Sequence, residues 1–422
     1  METTTPLYGP LIEQTMFLGG VDSYKPNMSQ LEYQKYPEAE VTFTLKIRGD
    51  QRLADFVTVD TMQKRLDFIR DRQWTPADMT FLSSLERSNG QPLYGEEFLK
   101  YLSTNDLPPV KVRFDAEKND IAIDTAGAWP LVTFWETIVM SEASEAYFEG
   151  MIRAQGIDIM ELYEEGDRRL SKKIEFLQAN PDIKVAEFGT RRRFSLRWQH
   201  HVLTRLKNEC PDNLLGTSNL AFASTMGLKP SGTNAHELPM VYAGIADAQG
   251  EDIRASHGQV IDDWHDMYED ELSVALSDTF GSDFFFEDLT LEQATRLKAT
   301  RQDSGDPFRY ADKAEAFYES KGIDPLVKTV FFSDNLTMDK VSRIHDYTRG
   351  RMQRNYGIGT HLTNDLGLKA LNDVMKATHV RLPDGREADL VKLSDDPGKH
   401  TGPEALVERY QRIFATAQKG NI

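Results

Sequence analysis

The chain has 422 residues and a mass of 48.0 kDa, enough for two domains or for one large α/β barrel with an added layer. Its 67 acidic residues against 49 basic ones give a formal charge of −18, which disfavours nucleic acid and anionic membrane as partners, since both select for basic patches. The single cysteine, Cys210, excludes an intrachain disulfide and any zinc site built on two or more thiolates, and fits a cytoplasmic protein best.

The N-terminal "METTTPLYGPLIEQTMFLGG" has neither a basic start nor a sustained apolar core, and "LVTFWETIVM" is interrupted by Glu136, so neither a signal peptide nor a membrane span is expected. Residues 1–130 read as an α+β unit. "VTFTLKI" alternates like a half-buried strand, Thr61–Arg70 and Gly95–Ser103 have helical spacing, and "VKVRF" with "DIAID" straddles a polar turn as a hairpin does.

From residue 131 to 384 the pattern becomes that of an α/β barrel. A long helical segment rich in Glu and Ala opens it, and β-prone runs follow at "IKVAEF", "NLLGTS", "LSVALSDT", "LKATRQDS", "KTVFFSDN" and "QRNYGIGT", many with helical stretches between. Such barrels gather their chemistry at the C-terminal ends of the strands. Nearly every run here ends in small or polar residues: "FGTR", "GTSN", "DSGD", "SDN", "GIGT". Turn chemistry alone would account for any one of them. Five in one barrel, with arginines and carboxylates among them, point to a shared site.

At the first of these ends stand Arg191, Arg192 and Arg193. Charge runs are usually solvated faces, and Arg192, Arg193 and Arg197 read as the exposed side of the helix that follows. Arg191 lies closest to the strand end, after a glycine, where its guanidinium can fork onto phosphate or carboxylate. Arg301 occupies the equivalent place in "ATRQDSGDPF", just before Asp303 and Asp306, a combination suited to a ligand with phosphates, hydroxyls and Mg²⁺, or to an internal ion pair. In "NYGIGTHLTND" a glycine turn precedes a helix start near Thr363 or Asn364, as in an anion site, although neither "GxxxxGK[ST]" nor "GxGxxG" occurs. "SGTNAHELPM" places His236 after a small-residue turn, with no helical context of its own. No "HExxH" follows, so zinc is set aside and no metal ligand is assigned.

Taken together, "VDSYK", "FGTRR", "GTSN", "GTNAHE", "RQDSGDP", "FSDNL" and "YGIGTHLTND", in this order and spacing from Asp22 to Asp365, resemble the nicotinate phosphoribosyltransferase family in its bacterial and fungal form. The resemblance implies an irregular α/β barrel of the type II phosphoribosyltransferase kind, with a second domain built from residues 1–130 and the tail 385–422. It implies a homodimer with shared active sites. It also implies transfer of phosphoribose from phosphoribosyl pyrophosphate to nicotinate, with Mg²⁺ as cofactor and with ATP consumed through a phosphohistidine.

Carried over residue by residue, Phe188 would stack on the pyridine ring and Tyr24 of a partner subunit would cover the other face. Arg191 and Arg301 would take phosphate or the base carboxylate, Asp303 and Asp334 the ribose and Mg²⁺ region, and Gly357, Gly359 and Thr360 the 5′-phosphate. His236 would be phosphorylated; His236, Arg301 and Asp303 form the catalytic set. Thr217 and Ser218 would lie at the base; Ser218 stands where relatives that use nicotinamide carry an acidic residue, and its hydroxyl favours the acid. Another sugar-phosphate barrel enzyme, with Lys229 as a Schiff-base lysine, is the alternative.

Overall fold

The computed structural model describes residues 18–416 apart from Gln73 and Pro397. The expectation for the N-terminal segment falls largely on residues 1–17, outside the described residues. Three strands come first: β1 (Glu40–Ile47), β2 (Val110–Asp115) and β3 (Asp120–Ala128). In β1 the alternation is real, with Val41, Phe43 and Leu45 buried on one face. β2 and β3 form the expected hairpin, paired from Val110↔Thr125 to Asp115↔Asp120. The polar turn between them closes through Asn119, whose φ of 51° is tolerated best by Asn, Asp and Gly.

Six parallel strands follow: β4 (Val185–Glu187), β5 (Leu214–Thr217), β6 (Val274–Leu276), β7 (Ala299–Gln302), β8 (Thr329–Phe332) and β9 (Gln353–Ile358). Their spatial order is β5-β4-β9-β8-β7-β6, so the sheet curls but stays open between β5 and β6. The seam is filled by the segment after β5. Pro230 bridges to Thr217, and the Asn234 amide donates to the carbonyl of Val274 at 3.3 Å.

The chain then returns to the first sheet. β10 (Asp373–Arg381) pairs antiparallel with the whole of β1, from Glu40↔Arg381 to Ile47↔Asp373, and β11 (Glu387–Asp389) pairs with β10. The five-stranded antiparallel order is β11-β10-β1-β3-β2. The return thus begins at Asp373, ahead of the junction expected at 385. The C-terminal helix Glu404–Ile413 takes another direction, packing Val407 and Tyr410 against Ala243, Ile253, Phe280 and Phe284 of the barrel side.

Between the two sheets runs the helix Trp135–Gln155, buried at every residue from Trp135 to Phe148. It ends at Gly156, whose left-handed φ of 63° caps it. Two of its glutamates receive the arginine that the sequence suggested was solvated. Arg193 is 2% exposed, with its Nε 2.7 Å from Glu145 and its Nη2 3.8 Å from Glu142, and it also donates to the carbonyl of Gly19. Burial of a guanidinium requires such pairing, so Arg193 joins the helix to the barrel rather than facing water. Arg192 is half-buried, donating to the carbonyl of Asp373 at 3.0 Å and lying 3.3 Å from its carboxylate. Only Arg197 is exposed as expected.

Candidate active site

The C-terminal ends of β4, β7, β8 and β9 open into one cavity of about 700 Å³, roofed by the near end of the antiparallel sheet. Seven cationic side chains line it, Arg48, Arg191, Arg192, Arg301, Lys376, Lys392 and Lys399, against three carboxylates, Glu136, Asp303 and Asp334. A chain that is acidic overall therefore concentrates positive charge in one pocket, which selects a strongly anionic ligand. The arginine run of β4 belongs to this pocket through Arg191 and Arg192.

Phe188 follows β4 directly, its N–H bonded to the carbonyl of Ile358 at 2.9 Å. Its ring stacks on Phe331 with centroids 5.5 Å apart and 16° between planes. Gly357 lies beneath: a Cβ there would come within 2.6 Å of the Phe188 ring, and one on Gly359 within 2.9 Å of the Phe188 carbonyl oxygen. The glycines are required for close approach, and they form the floor of the cavity together with Thr360. The helical turn after them runs only from Thr360 to Thr363. Thr363 and Asn364 end that turn instead of starting a helix, so the floor offers space without the dipole of a long helix.

Arg301 donates to Asp303 at 2.8 Å and to Ser333 at 3.0 Å, and Ser333 donates to the same Asp303 oxygen at 2.7 Å. The other Asp303 oxygen lies 3.1 Å from Nε2 of His236. Burial opposes the charge of Asp303, but Arg301 and His236 outweigh it and hold the carboxyl well below its usual range. Asp334, at the end of β8, faces the same cavity and is only half-buried.

His236 is placed differently from the sequence expectation: it is the residue immediately before the helix Glu237–Gln249. Thr279 Oγ1 lies 3.0 Å from Nδ1, and Nε2 faces both Asp303 and Lys392. These three neighbours fix the ring. Burial first, and then the Lys392 charge, lower its pKa to about 4, so the imidazole is neutral at physiological pH.

His236, Asp278 and Asp303 have ligand atoms within 4.8 Å of one another, the spacing of a cation site. Lys392 already supplies a cation there, 3.1 Å from Asp278 and 2.9 Å from His236. The ammonium fits that position as a metal ion would, so these residues are not assigned as metal ligands.

Arg191 makes a long hydrogen bond to Glu136 at 3.4 Å and lies 3.6 Å from Asp22. Its guanidinium is 5.8 Å from the ring of Tyr24. Tyr24 is buried and lines a small recess shared with Arg191, His236, Arg301 and Asp303. The Tyr24 that lines this recess belongs to the same chain as Arg191 and His236. Glu136, though buried, is pulled down to about 2 by Lys25, Lys376 and Arg191.

Two expected residues stand apart from the cavity. Thr217 is fully buried and donates to Glu187 at 2.6 Å, and the Ser218 hydroxyl donates to Asp22 at 2.7 Å. Neither lines the pocket. Ser218 therefore stands one step behind Arg191, with an acidic residue, Asp22, as its partner. Lys229, the lysine of the alternative reading, is exposed and outside the cavity.

Arg48, Glu136, Lys376, Lys392 and Lys399 were not foreseen. Lys376 alternates with the buried Met375 and Ala377 on β10, a pattern that normally sends lysine to water. Here that face of the sheet covers the barrel mouth. Burial lowers the Lys376 pKa to about 8, although Glu136 works the other way.

Residues 183–418 match the nicotinate phosphoribosyltransferase (NAPRTase) family, and residues 20–144 match the NAPRTase N-terminal domain. A crystal structure of nicotinate phosphoribosyltransferase from Porphyromonas gingivalis superposes with a TM-score of 0.85 at 28% identity, over 94% of this chain and 99% of that one. One from Vibrio cholerae gives 0.83 at 29% identity, over 95% and 93%. No helix among the described residues is long and apolar enough to cross a membrane.

Proposed function

The chain belongs to the nicotinate phosphoribosyltransferase family, and from that premise we propose how its cavity carries out the family's transfer of phosphoribose from phosphoribosyl pyrophosphate to nicotinate in NAD biosynthesis. The observation that carries the assignment of roles is the seven-cation cavity at the strand ends, floored by glycine and bounded by Phe188.

Displacement at the anomeric carbon builds positive charge on the sugar and negative charge on the departing pyrophosphate, so it needs aligned reactants and fixed charges more than proton transfer. Phe188 offers a flat apolar wall for the pyridine ring, with Tyr24 in the adjoining recess. Arg191 takes the nicotinate carboxylate. Gly357, Gly359 and Thr360 admit the 5′-phosphate, and the Arg301–Asp303 pair faces the ribose and pyrophosphate.

Asp303 is already engaged by Arg301, Ser333 and His236, which leaves Asp334 as the carboxylate that would meet Mg²⁺ carried by the pyrophosphate. The ion would neutralise part of the leaving group's charge. In the ATP step the neutral His236 imidazole attacks the γ-phosphorus, the bond to the β-phosphate oxygen breaks and ADP leaves, with Lys392 the cation beside the incoming phosphoryl group. A homodimer remains part of the proposal.

The test is nicotinate mononucleotide formation from nicotinate, phosphoribosyl pyrophosphate and Mg²⁺, with and without ATP, for wild type and His236→Ala. Formation that ATP stimulates only in the wild type is expected. Equal stimulation in both would remove His236 from the ATP step. Formation with nicotinamide at the same kcat/KM would remove the role given to Arg191.

A further inference from the structure

We propose that Glu187 is the positioning residue for Phe188 and Arg191, a role that only a carboxylate can fill at this position. Glu187 ends β4 and is fully buried. Its carboxylate accepts from the N–H of Gly189 at 2.5 Å, from the hydroxyl of Thr217 at 2.6 Å and from the Gln199 amide at 3.0 and 3.2 Å. The backbone between Phe188 and Arg191 is therefore held from beneath. Thr363 holds it from the other side, donating to the carbonyl of Gly189 at 3.0 Å.

The polarity of this network is locked at both ends by backbone groups. The Gly189 N–H can only donate. At the far end, Asn219 Oδ1 accepts from the N–H of Phe222 at 3.2 Å, and Asn219 Nδ2 donates to the carbonyl of Gly19 at 2.9 Å. That orientation makes Asn219 a donor to Gln199 Oε1 at 3.3 Å, which turns the Gln199 amide N–H toward Glu187 and Thr190. Every group around Glu187 thus arrives as a donor, and the site calls for acceptors only. A glutamine at 187 brings one NH₂ that must face a donor. Flipping Gln199 to relieve it only passes the conflict to Asn219, whose own flip would break the cap of the helix Leu220–Met226.

The proposal rests on the reading that Phe188 and Arg191 bind nicotinate, so the experiment separates the two. Steady-state constants are measured for Glu187→Gln, Phe188→Ala and the double variant, with thermal melting of each. Expected are a nicotinate KM raised about tenfold or more in Glu187→Gln with kcat changed far less, and a clearly smaller further rise when the substitution is added to Phe188→Ala, since the ring is gone and only Arg191 is left to be positioned. Glu187→Asp, which keeps the acceptors, restores part of the KM. Additive effects, or a lowered melting temperature with unchanged KM, would overturn the positioning role. An unchanged KM in Phe188→Ala alone would instead sink the stacking reading.

Discussion

Lys392 Nζ lies 2.9 Å from Nε2 of His236, although 156 residues separate them in the chain. The lysine arrives on the segment that leaves the antiparallel sheet, the histidine on a barrel loop, so the contact ties the second domain to the candidate phosphoryl acceptor. Its charge is one reason that the histidine stays neutral.

The pH dependence of ATP stimulation should follow. With the ring pKa near 4, the wild type keeps its nucleophile as the pH falls from 8 toward 5. Lys392→Met removes the positive neighbour and leaves Asp278 and Asp303, both of which favour the protonated ring, so the pKa rises toward its ordinary 6.5. The ratio of rates with and without ATP should then drop between pH 7 and 5.5 in the variant and stay level in the wild type. Parallel profiles would show that Lys392 does not set the protonation state.

Gly357→Ala tests the cavity floor. A methyl there would meet the Phe188 ring at 2.6 Å and the Phe331 ring at 2.9 Å, so the aromatic pair must shift. Overpacking of this kind costs about 1–3 kcal/mol of stability. The nicotinate KM should rise about tenfold, because ring position sets ring stacking. Gly95→Ala is the control for binding: its added Cβ has no neighbour nearer than 3.8 Å, and it should leave the nicotinate KM unchanged. An unaltered KM in Gly357→Ala would mean that the ring face is not used.

The barrel was legible in the sequence because its strands are short apolar runs ended by turn residues, and those ends carry Arg191, Arg301, Asp303, Asp334 and Gly357 into one cavity. The roof was not. β10 pairs with β1 across more than 300 residues, and nothing local marks "DVMKATHVR" as the partner of "EVTFTLKI". Lys376, alternating with apolar neighbours, consequently carries no local sign that its face is covered. Arg193 failed for a related reason: its partners Glu142 and Glu145 sit on a helix whose glutamates suggest a wet face, yet that helix is covered on all sides. Ser218 was expected at the base but donates to Asp22, a neighbour that only the folded chain supplies.

Glu32 gives a stability prediction. Both of its carboxylate oxygens are buried with no donor among the described residues, beside Glu237. Burial, with Glu237 adding to it, raises its pKa well above 4.5. The folded state therefore keeps a proton that the unfolded chain gives up above pH 4.5, and this group's contribution to stability declines as pH rises. Glu32→Gln is neutral at every pH. Its melting temperature relative to wild type should climb from pH 5 to pH 8, and a constant or falling difference would contradict a protonated Glu32.

Tyr24 opens the helix Tyr24–Lys35, and the next residue, Lys25, is fully buried, bound to Glu136 at 2.7 Å and Glu237 at 2.6 Å of the same chain. Glu136 in turn faces Arg191, and Glu237 follows His236. Extracting Tyr24 to serve a partner would pull a buried lysine from two carboxylates, and breaking a buried pair costs about 3–5 kcal/mol. Tyr24 should thus act within its own chain whether or not two chains associate. Mixing Tyr24→Ala chains with His236→Ala chains, after dissociation and reassociation, should yield no more ATP-stimulated product than the sum of the two alone. Recovery of about a quarter of wild-type activity, the random-pairing value for a shared site in a two-fold dimer, would show that the ring crosses between subunits and that the N-terminal helix is held differently in the assembly.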